Sequence, residues 1–229
     1  MVEVSQEVPE SIGDTMSNRK NIVVLGPPGA GKGTQCEKIS ETYDIPHIST
    51  GKMLREHKDL ETEHGTARDY MEKGDLVPDR VVYRILDHRL EKNDTKQGFV
   101  LDGFPRDMEQ AKHLEERREL DLVISLEVDQ EEIMVRLTGR RVCEDCGESF
   151  HIKFRPPEEE KVCDECGGDL IHRDDDKREV IEERLEEYRN KTLPLKEFYN
   201  DKDLLEEVDG NGSIEEVWKK TRQTLEETL

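Results

Sequence analysis

The sequence predicts an α/β fold: a parallel five-stranded sheet with helices on both faces. Three observations carry this. Short apolar runs at Ile22–Leu25 and Phe99–Leu101 have the length and continuity of strands buried on both sides, and the mostly apolar Leu122–Val128 reads as another strand. Stretches with helical spacing alternate with them, which implies crossover connections and a parallel sheet. The first run leads straight into a glycine-rich turn, and in such folds ligands collect at the carboxyl ends of the strands.

That turn is Gly26-Pro27-Pro28-Gly29-Ala30-Gly31, followed by Lys32, Gly33 and Thr34. Strand, glycine-rich turn and helix together make a phosphate cradle. Successive backbone N–H groups point inward around one anion, and the helix start adds its unpaired donors and positive dipole end. Lys32 can reach the outer phosphates and the Thr34 hydroxyl a magnesium ion. The pattern is that of the P-loop, G-x-x-x-x-G-K, with Gly33 where the general motif has Ser or Thr.

The elements follow in order. The first helix should run to about Tyr43, with Cys36 as a buried core thiol. His47-Ile48-Ser49 reads as a second short strand, and Ser49-Thr50-Gly51 as a cap for the helix beginning at Lys52. A helical piece spans about Thr66 to Lys73, closed by Gly74. Pro78 suits the first turn of a helix whose apolar face carries Val81, Val82, Ile85, Leu86 and Leu90. The strand Phe99–Leu101 ends in Asp102, the usual place in a P-loop protein for a carboxylate that holds magnesium through water. A helix from about Met108 to Glu119 precedes the fourth strand, Leu122–Val128. The next helix carries Ile133, Val135 and Leu137 and ends near Gly139. A long helical pattern spans Asp174 to Tyr199, interrupted at Pro194. Leu204, Leu205 and Val208 mark a fifth strand. Ser213 and Glu216 form a capping box opening a last helix, with Trp218 as a core anchor.

Composition narrows the function. Charged residues make up 40% of the 229, hydrophobic residues 32%, and the net charge is −21. A surface this acidic disfavours nonspecific nucleic-acid binding, and no apolar run is long enough to span a bilayer. Residues 1–20 read as a polar tail without the apolar core of a signal peptide, so a cytoplasmic location is expected. In so acidic a chain, any gathering of Arg and Lys points to an anionic ligand.

Residues 139–176 change character. Cys143-x-x-Cys146 and Cys163-x-x-Cys166 form two knuckles, with Gly147 and Gly167 directly after them. Four convergent thiolates make a closed structural metal site, with zinc as the expected occupant and iron able to take the same ligands. No coordination position is left for chemistry. Glu144, Asp145, Glu148, Asp164, Glu165 and Asp169 surround the cysteines, which argues against a nucleic-acid ribbon. The seven histidines show no catalytic pairing, although His151 and His172 lie near enough in sequence to serve as alternative ligands.

These segments together resemble the adenylate kinases, in the form whose long lid binds zinc. The resemblance rests on Gly26–Thr34 with its unusual Gly33, Ser49-Thr50-Gly51, Leu76-Val77-Pro78-Asp79, Asp102-Gly103-Phe104-Pro105-Arg106 with Gln110, Gly139-Arg140-Arg141, and Arg173–Asp176 with Arg184. It implies a P-loop core (21–48, 78–138 and 177–229), a flap over the nucleoside monophosphate (49–77) and a zinc-ribbon-like lid (139–176). It implies phosphoryl transfer from MgATP to AMP, giving two ADP, by a monomer. Lys32, Arg106, Arg140, Arg173, Arg184 and Asp102 would serve catalysis. Gly29, Ala30, Gly31, Lys32, Gly33, Thr34, Arg136, Arg140, Ser149, Phe150 and Gly212 would hold ATP. Thr50, Arg55, Asp75, Leu76, Val77, Gly103, Phe104, Pro105, Arg106, Gln110, Arg173 and Arg184 would hold AMP, with Thr50 and Gln110 at the adenine. Asp175 and Asp176 would pair with arginines. Two alternatives stay open from the residues: a kinase using another monophosphate or GTP, and a nucleotide-binding zinc protein without rapid transfer.

Overall fold

A computed structural model describes residues 19–57, 59, 61, 62, 65–73 and 75–229; most of the N-terminal tail and Gly74 lie outside them. The elements in order are β1 (Lys20–Leu25), α1 (Lys32–Tyr43), β2 (His47–Ser49), α2 (Thr50–Glu56), β3 (Glu61–Thr62), β4 (Gly65–Thr66), α3 (Ala67–Lys73), α4 (Asp79–Leu90), β5 (Gly98–Asp102) and α5 (Met108–Glu115). They continue with β6 (Leu122–Glu127), α6 (Gln130–Gly139), β7 (Arg140–Cys143), β8 (Ser149–His151), β9 (Leu170–Ile171), α7 (Arg178–Glu187), α8 (Leu195–Asn200), β10 (Leu205–Asp209) and α9 (Ile214–Thr228).

Five strands form the expected parallel sheet in the order β10-β6-β1-β5-β2. Side chains alternate across a strand, so β1 serves two cores at once. Val23 and Leu25 pack with Leu101, Phe99 and Leu86 on one face; Ile22 and Val24 pack with Val100, Ile124 and Ile39 on the other. This double burial is why these strands read as unbroken apolar runs. The sheet's carboxyl edge then presents the turn after β1, Ser49 after β2 and Asp102 after β5 side by side.

Between α6 and α7 the chain leaves the core for a three-stranded antiparallel unit, β8-β7-β9. Its own small core is Phe150 and Leu170 packed on Cys143 and Cys163.

Several boundaries differ from expectation. Helix α5 stops at Glu115 rather than Glu119, because the chain turns to bury Leu120. The Asn21 amide holds that turn through Glu119 O (2.7 Å), and Arg118 reaches Leu90 O (2.6 Å). The long pattern from Asp174 divides into a 3-10 turn (Asp174–Asp176), α7, a π-helical turn (Tyr188–Thr192) and α8. Pro194 has no N–H to continue the ladder, and Leu193 N–H bonds back to Tyr188 O at 2.8 Å. Val135 points outward at 44% exposure, while its neighbours Ile133 and Leu137 are buried; two residues along a helix is the opposite side. Ser49 precedes α2 but makes no side-chain cap. Trp218 is half-buried against the second core, and Val217, Thr221 and Leu225 are the buried residues of α9.

Gly98 opens β5 at φ 131°, where a Cβ would lie 2.5 Å from Lys20 O. Neither the backbone nor β1 can yield. Gly98→Ala is expected to lower unfolding free energy by more than about 1 kcal/mol, measured by chemical denaturation against wild type.

Candidate active site

The turn after β1 is shaped by glycines that cannot be replaced. Gly29 (φ 82°) and Gly31 (φ 90°) adopt left-handed conformations, and a Cβ on Gly29 would meet Leu137 Cγ at 2.8 Å. Lys32 folds back over the loop, donating to Gly26 O (2.9 Å) and Pro27 O (2.8 Å). Burial lowers its ammonium to about pKa 8; Asp102 opposes this, and Arg106 and Arg184 add to the fall. Arg136 braces the loop from α6: its guanidinium donates to Ala30 O (3.2 Å), Gly210 O (2.9 Å) and Gly212 O (3.2 Å), and to Glu132 (3.0 Å).

Asp102 ends β5 beside this loop. Its Oδ2 accepts from Ser49 Oγ at 3.4 Å and lies 3.9 Å from His47 Nε2. Gly33 is the residue of α1 that faces it, since a Cβ there would sit 3.7 Å from Asp102 Oδ2. Thr34, half-buried, lies one position further round α1.

A second cleft opens alongside, lined by Thr50, Leu54, Leu76, Val77, Val82, Gly103, Arg106 and Gln110. Thr50 Oγ1 donates to Asp102 O (3.2 Å), and it fills the space a Cβ on Gly103 (φ 78°) would take, at 2.8 Å. Arg106 is held at two points: its N–H donates to Gln110 Oε1 (2.8 Å) and its Nε–H to Gly103 O (2.9 Å). The adjacent Phe104 is buried in the core, and the Phe104–Pro105 peptide is cis. Asp75 is exposed, its N–H bonded to Tyr70 O at 3.0 Å.

Between the two clefts lie the arginines. Asp176, wholly buried, accepts from Arg140 through Nε (2.7 Å) and Nη2 (2.5 Å), and from Arg184 Nη1 (3.0 Å). Asp175 pairs with Arg173 and with Arg184 (3.3 Å). Asp174 instead meets the exposed Lys177 at 2.6 Å, so the two later carboxylates of the run are the ones that hold arginines. Burial lowers Arg55 to about pKa 10, with Arg173 and Arg140 adding to the fall. Burial also lowers Arg106, Arg173 and Arg184. Of these arginines Arg140 is raised: burial pulls it down, but Asp176, by charge and hydrogen bonds, together with Asp175 and Asp102 outweighs burial.

In the antiparallel unit, the four cysteine sulfurs lie within 4.8 Å of one another, with Cys143–Cys166 at 3.4 Å and Cys146–Cys163 at 3.6 Å. Those spacings are too long for a disulfide and bracket the ~3.8 Å edge of a tetrahedron with metal–sulfur bonds of about 2.3 Å. Gly147 and Gly167, both at φ 75°, turn the knuckles, and a Cβ on Gly168 would meet Asp145 Oδ2 at 2.2 Å. His151 stands apart: its ring nitrogen meets Val135 O (3.2 Å) and its ring lies 4.5 Å from Phe154. Phe150 is buried beneath the cysteines, while Ser149 is exposed.

Four partners were invisible in the sequence because they come from distant segments. His47 and Ser49 flank Asp102. Asp79 accepts from Gln110 Nε2 at 2.6 Å. Thr192 Oγ1 donates to Arg106 O at 2.6 Å from the π-helical turn.

A P-loop facing a second cleft across shared arginines, with a cysteine-knuckled unit beside them, defines a nucleoside monophosphate kinase. The family model described as adenylate kinase matches residues 24–204. An adenylate kinase of Haloarcula marismortui is 49% identical over 92% of this chain and 98% of its own length. One of Archaeoglobus fulgidus is 49% identical over 90% and 98%, and one of Caldanaerobacter subterraneus 51% identical over 89% and 95%. The chain belongs to the adenylate kinase family.

The arginine-paired carboxylates set a pH limit. Burial pushes Asp175 up, but Arg184, Arg173 and Arg140 together outweigh it and hold the carboxyl below its ordinary value. A folded pKa below the unfolded one adds stability above about pH 4, lost as pH falls through the folded value. Wild type is expected to melt higher than Asp175→Asn at pH 6, with the gap closing toward pH 2; thermal melts across that range measure it.

Proposed function

We propose that this protein transfers the terminal phosphoryl group of MgATP to AMP, reversibly, giving two ADP. The observation that carries the reading is the shared charge set. Lys32, Arg55, Arg106, Arg140, Arg173 and Arg184 gather around Asp102, Asp175 and Asp176, with Glu187 acting on Arg106, a local excess of positive charge in a chain of −21. Phosphoryl transfer asks little covalent chemistry of a protein; it asks for alignment and for fixed positive charge around the moving group.

The P-loop amides from Gly29 to Thr34 would cradle the donor phosphates, with Lys32 leaving its carbonyl partners for them. Burial already disfavours the lone ammonium, so a triphosphate would restore its charge. Arg136 would hold the loop, and Arg140 the phosphates beside it. The acceptor would sit in the second cleft, its base against Thr50, Leu54, Leu76, Val77 and Gln110 and its phosphate toward Arg55 and Arg106. Arg173 would reach the transferred group from the lid (139–176) and Arg184 from α7, and the flap (49–77) would close from the other side. Closure expels water, which strengthens each contact and keeps water from replacing AMP as nucleophile. The acceptor's own phosphate oxygen attacks, so no side-chain nucleophile is needed.

Mg2+ would neutralise charge across the donor's outer phosphates. Asp102 fits it: a half-buried carboxylate with only long contacts to Ser49 and His47, next to a residue without a side chain. Zinc fits the four thiolates, whose spacing is tetrahedral, and would contribute folding energy to the lid.

A coupled assay with AMP, UMP, CMP and GMP as acceptors should show AMP preferred by at least about a hundredfold in kcat/KM, the scale of site-built hydrogen-bond discrimination. Activity confined to a pyrimidine monophosphate would overturn the assignment. Metal analysis should find one zinc per chain. Cys143→Ser, missing a ligand, should lower the melting temperature and retain activity in the cold; a metal-free wild type with an unchanged melting point would refute the structural zinc.

A further inference from the structure

Gln110 is 2% exposed and lines the second cleft, yet its amide is already committed on two sides. Its Oε1 accepts from Arg106 N–H (2.8 Å) and its Nε2 donates to Asp79 Oδ1 (2.6 Å). The chemistry of the partners fixes the assignment. A backbone N–H can only donate and a carboxylate only accept, so reversing the amide would set donor against donor and acceptor against acceptor. A primary amide has two N–H donors and two acceptor positions. One of each remains.

We propose that Asp79 is a specificity-determining residue that acts through Gln110, selecting 6-amino over 6-oxo purine monophosphates. The proposal rests on the reading of this cleft as the acceptor-base site. An adenine edge offers an N6 amino donor beside an N1 acceptor. The remaining Gln110 acceptor and N–H match that order. Hypoxanthine and guanine offer an O6 acceptor beside an N1 donor, so at the same place they demand the reversed amide. The reversed amide loses its bonds to both Asp79 and Arg106, and a buried polar group left unpaired is costly. Asp79 is well placed to enforce this. It is the first residue of α4, at the positive end of the helix, and it does not itself line the cleft. Leu76, Val77 and Val82 on either side supply apolar walls without orientation. The Thr50 hydroxyl, already donating to Asp102 O, can only accept from the base, so the donor–acceptor order is set by the amide whose direction is fixed from outside.

The test is the ratio of kcat/KM for AMP to that for IMP, with ATP as donor. Asp79→Ala should lower that ratio about tenfold, the scale of one hydrogen bond to a charged group, while KM for ATP stays put. Asp79→Asn keeps the shape but can face Gln110 with either a donor or an acceptor, and should move the ratio in the same direction. Melting curves identify any variant that is merely unfolded, and general destabilisation would lower both activities without changing their ratio. Gln110→Ala separates the two claims. If Gln110→Ala collapses the ratio and both Asp79 variants leave it at the wild-type value, the role of Asp79 is refuted and the base site stands. If Gln110→Ala itself leaves the ratio unchanged, the base site is elsewhere.

Discussion

Two carboxylates hold apart arginines that would otherwise repel one another. Asp176 is wholly buried between Arg140 and Arg184, and Asp175 sits between Arg173 and Arg184. Like charges cannot be crowded into a half-dry site unaided, because every buried cation gives up its water. Burial drags the unpaired Arg55 down to about pKa 10, whereas Arg140, gripped by Asp176, is raised. The architecture follows from this need. The sheet's carboxyl edge brings Lys32 and Asp102 together, α7 brings Arg184, and the antiparallel unit brings Arg140 and Arg173 from outside the core.

The balance struck is deliberately incomplete. A site neutral by itself would have little left for an anionic ligand, and one with no carboxylates would leave buried cations unpaired. The carboxylates present offset part of the positive charge and hold Arg140, Arg173 and Arg184 in place. The overall acidity of the chain sharpens the contrast, since the site is then the place where an anion finds relief from a repulsive surface.

How much of this the residues foretold depends on distance along the chain. The glycine turn, the cysteine knuckles and the Arg173–Asp176 run are local patterns whose spacing dictates geometry, and they read directly. The double-sided sheet was legible because two-sided burial removes polar positions from a strand. What could not be read were pairings set by tertiary approach. Gln110 meets a carboxylate 31 residues away, and Thr192 meets the Arg106 carbonyl 86 residues away. Helix ends failed for a related reason: periodicity carried past Glu115 and through Tyr188–Thr192, and only the burial of Leu120 and the missing N–H of Pro194 decide where the ladder changes. The family resemblance singled out Asp175 and Asp176, which the bare run of three carboxylates does not, and the 3-10 turn is what faces Asp174 toward solvent and those two toward arginines.

The strand order also bears on how the chain is made. β1 is the sheet's centre, paired with β5 and β6, yet among the described residues it is the first strand in the chain. Ile22 aligns with Val100 and Leu122, so its first strand neighbour comes 78 residues later and its second 100. At some 5–20 residues per second that is a wait of several seconds or more. Throughout, four consecutive apolar side chains lack both neighbouring strands, and the phosphate cradle that follows them has no scaffold to hold its shape. Until β5 and β6 are out, the cover available to β1 is α1, which follows it directly and packs Ile39 against Ile22 and Val24.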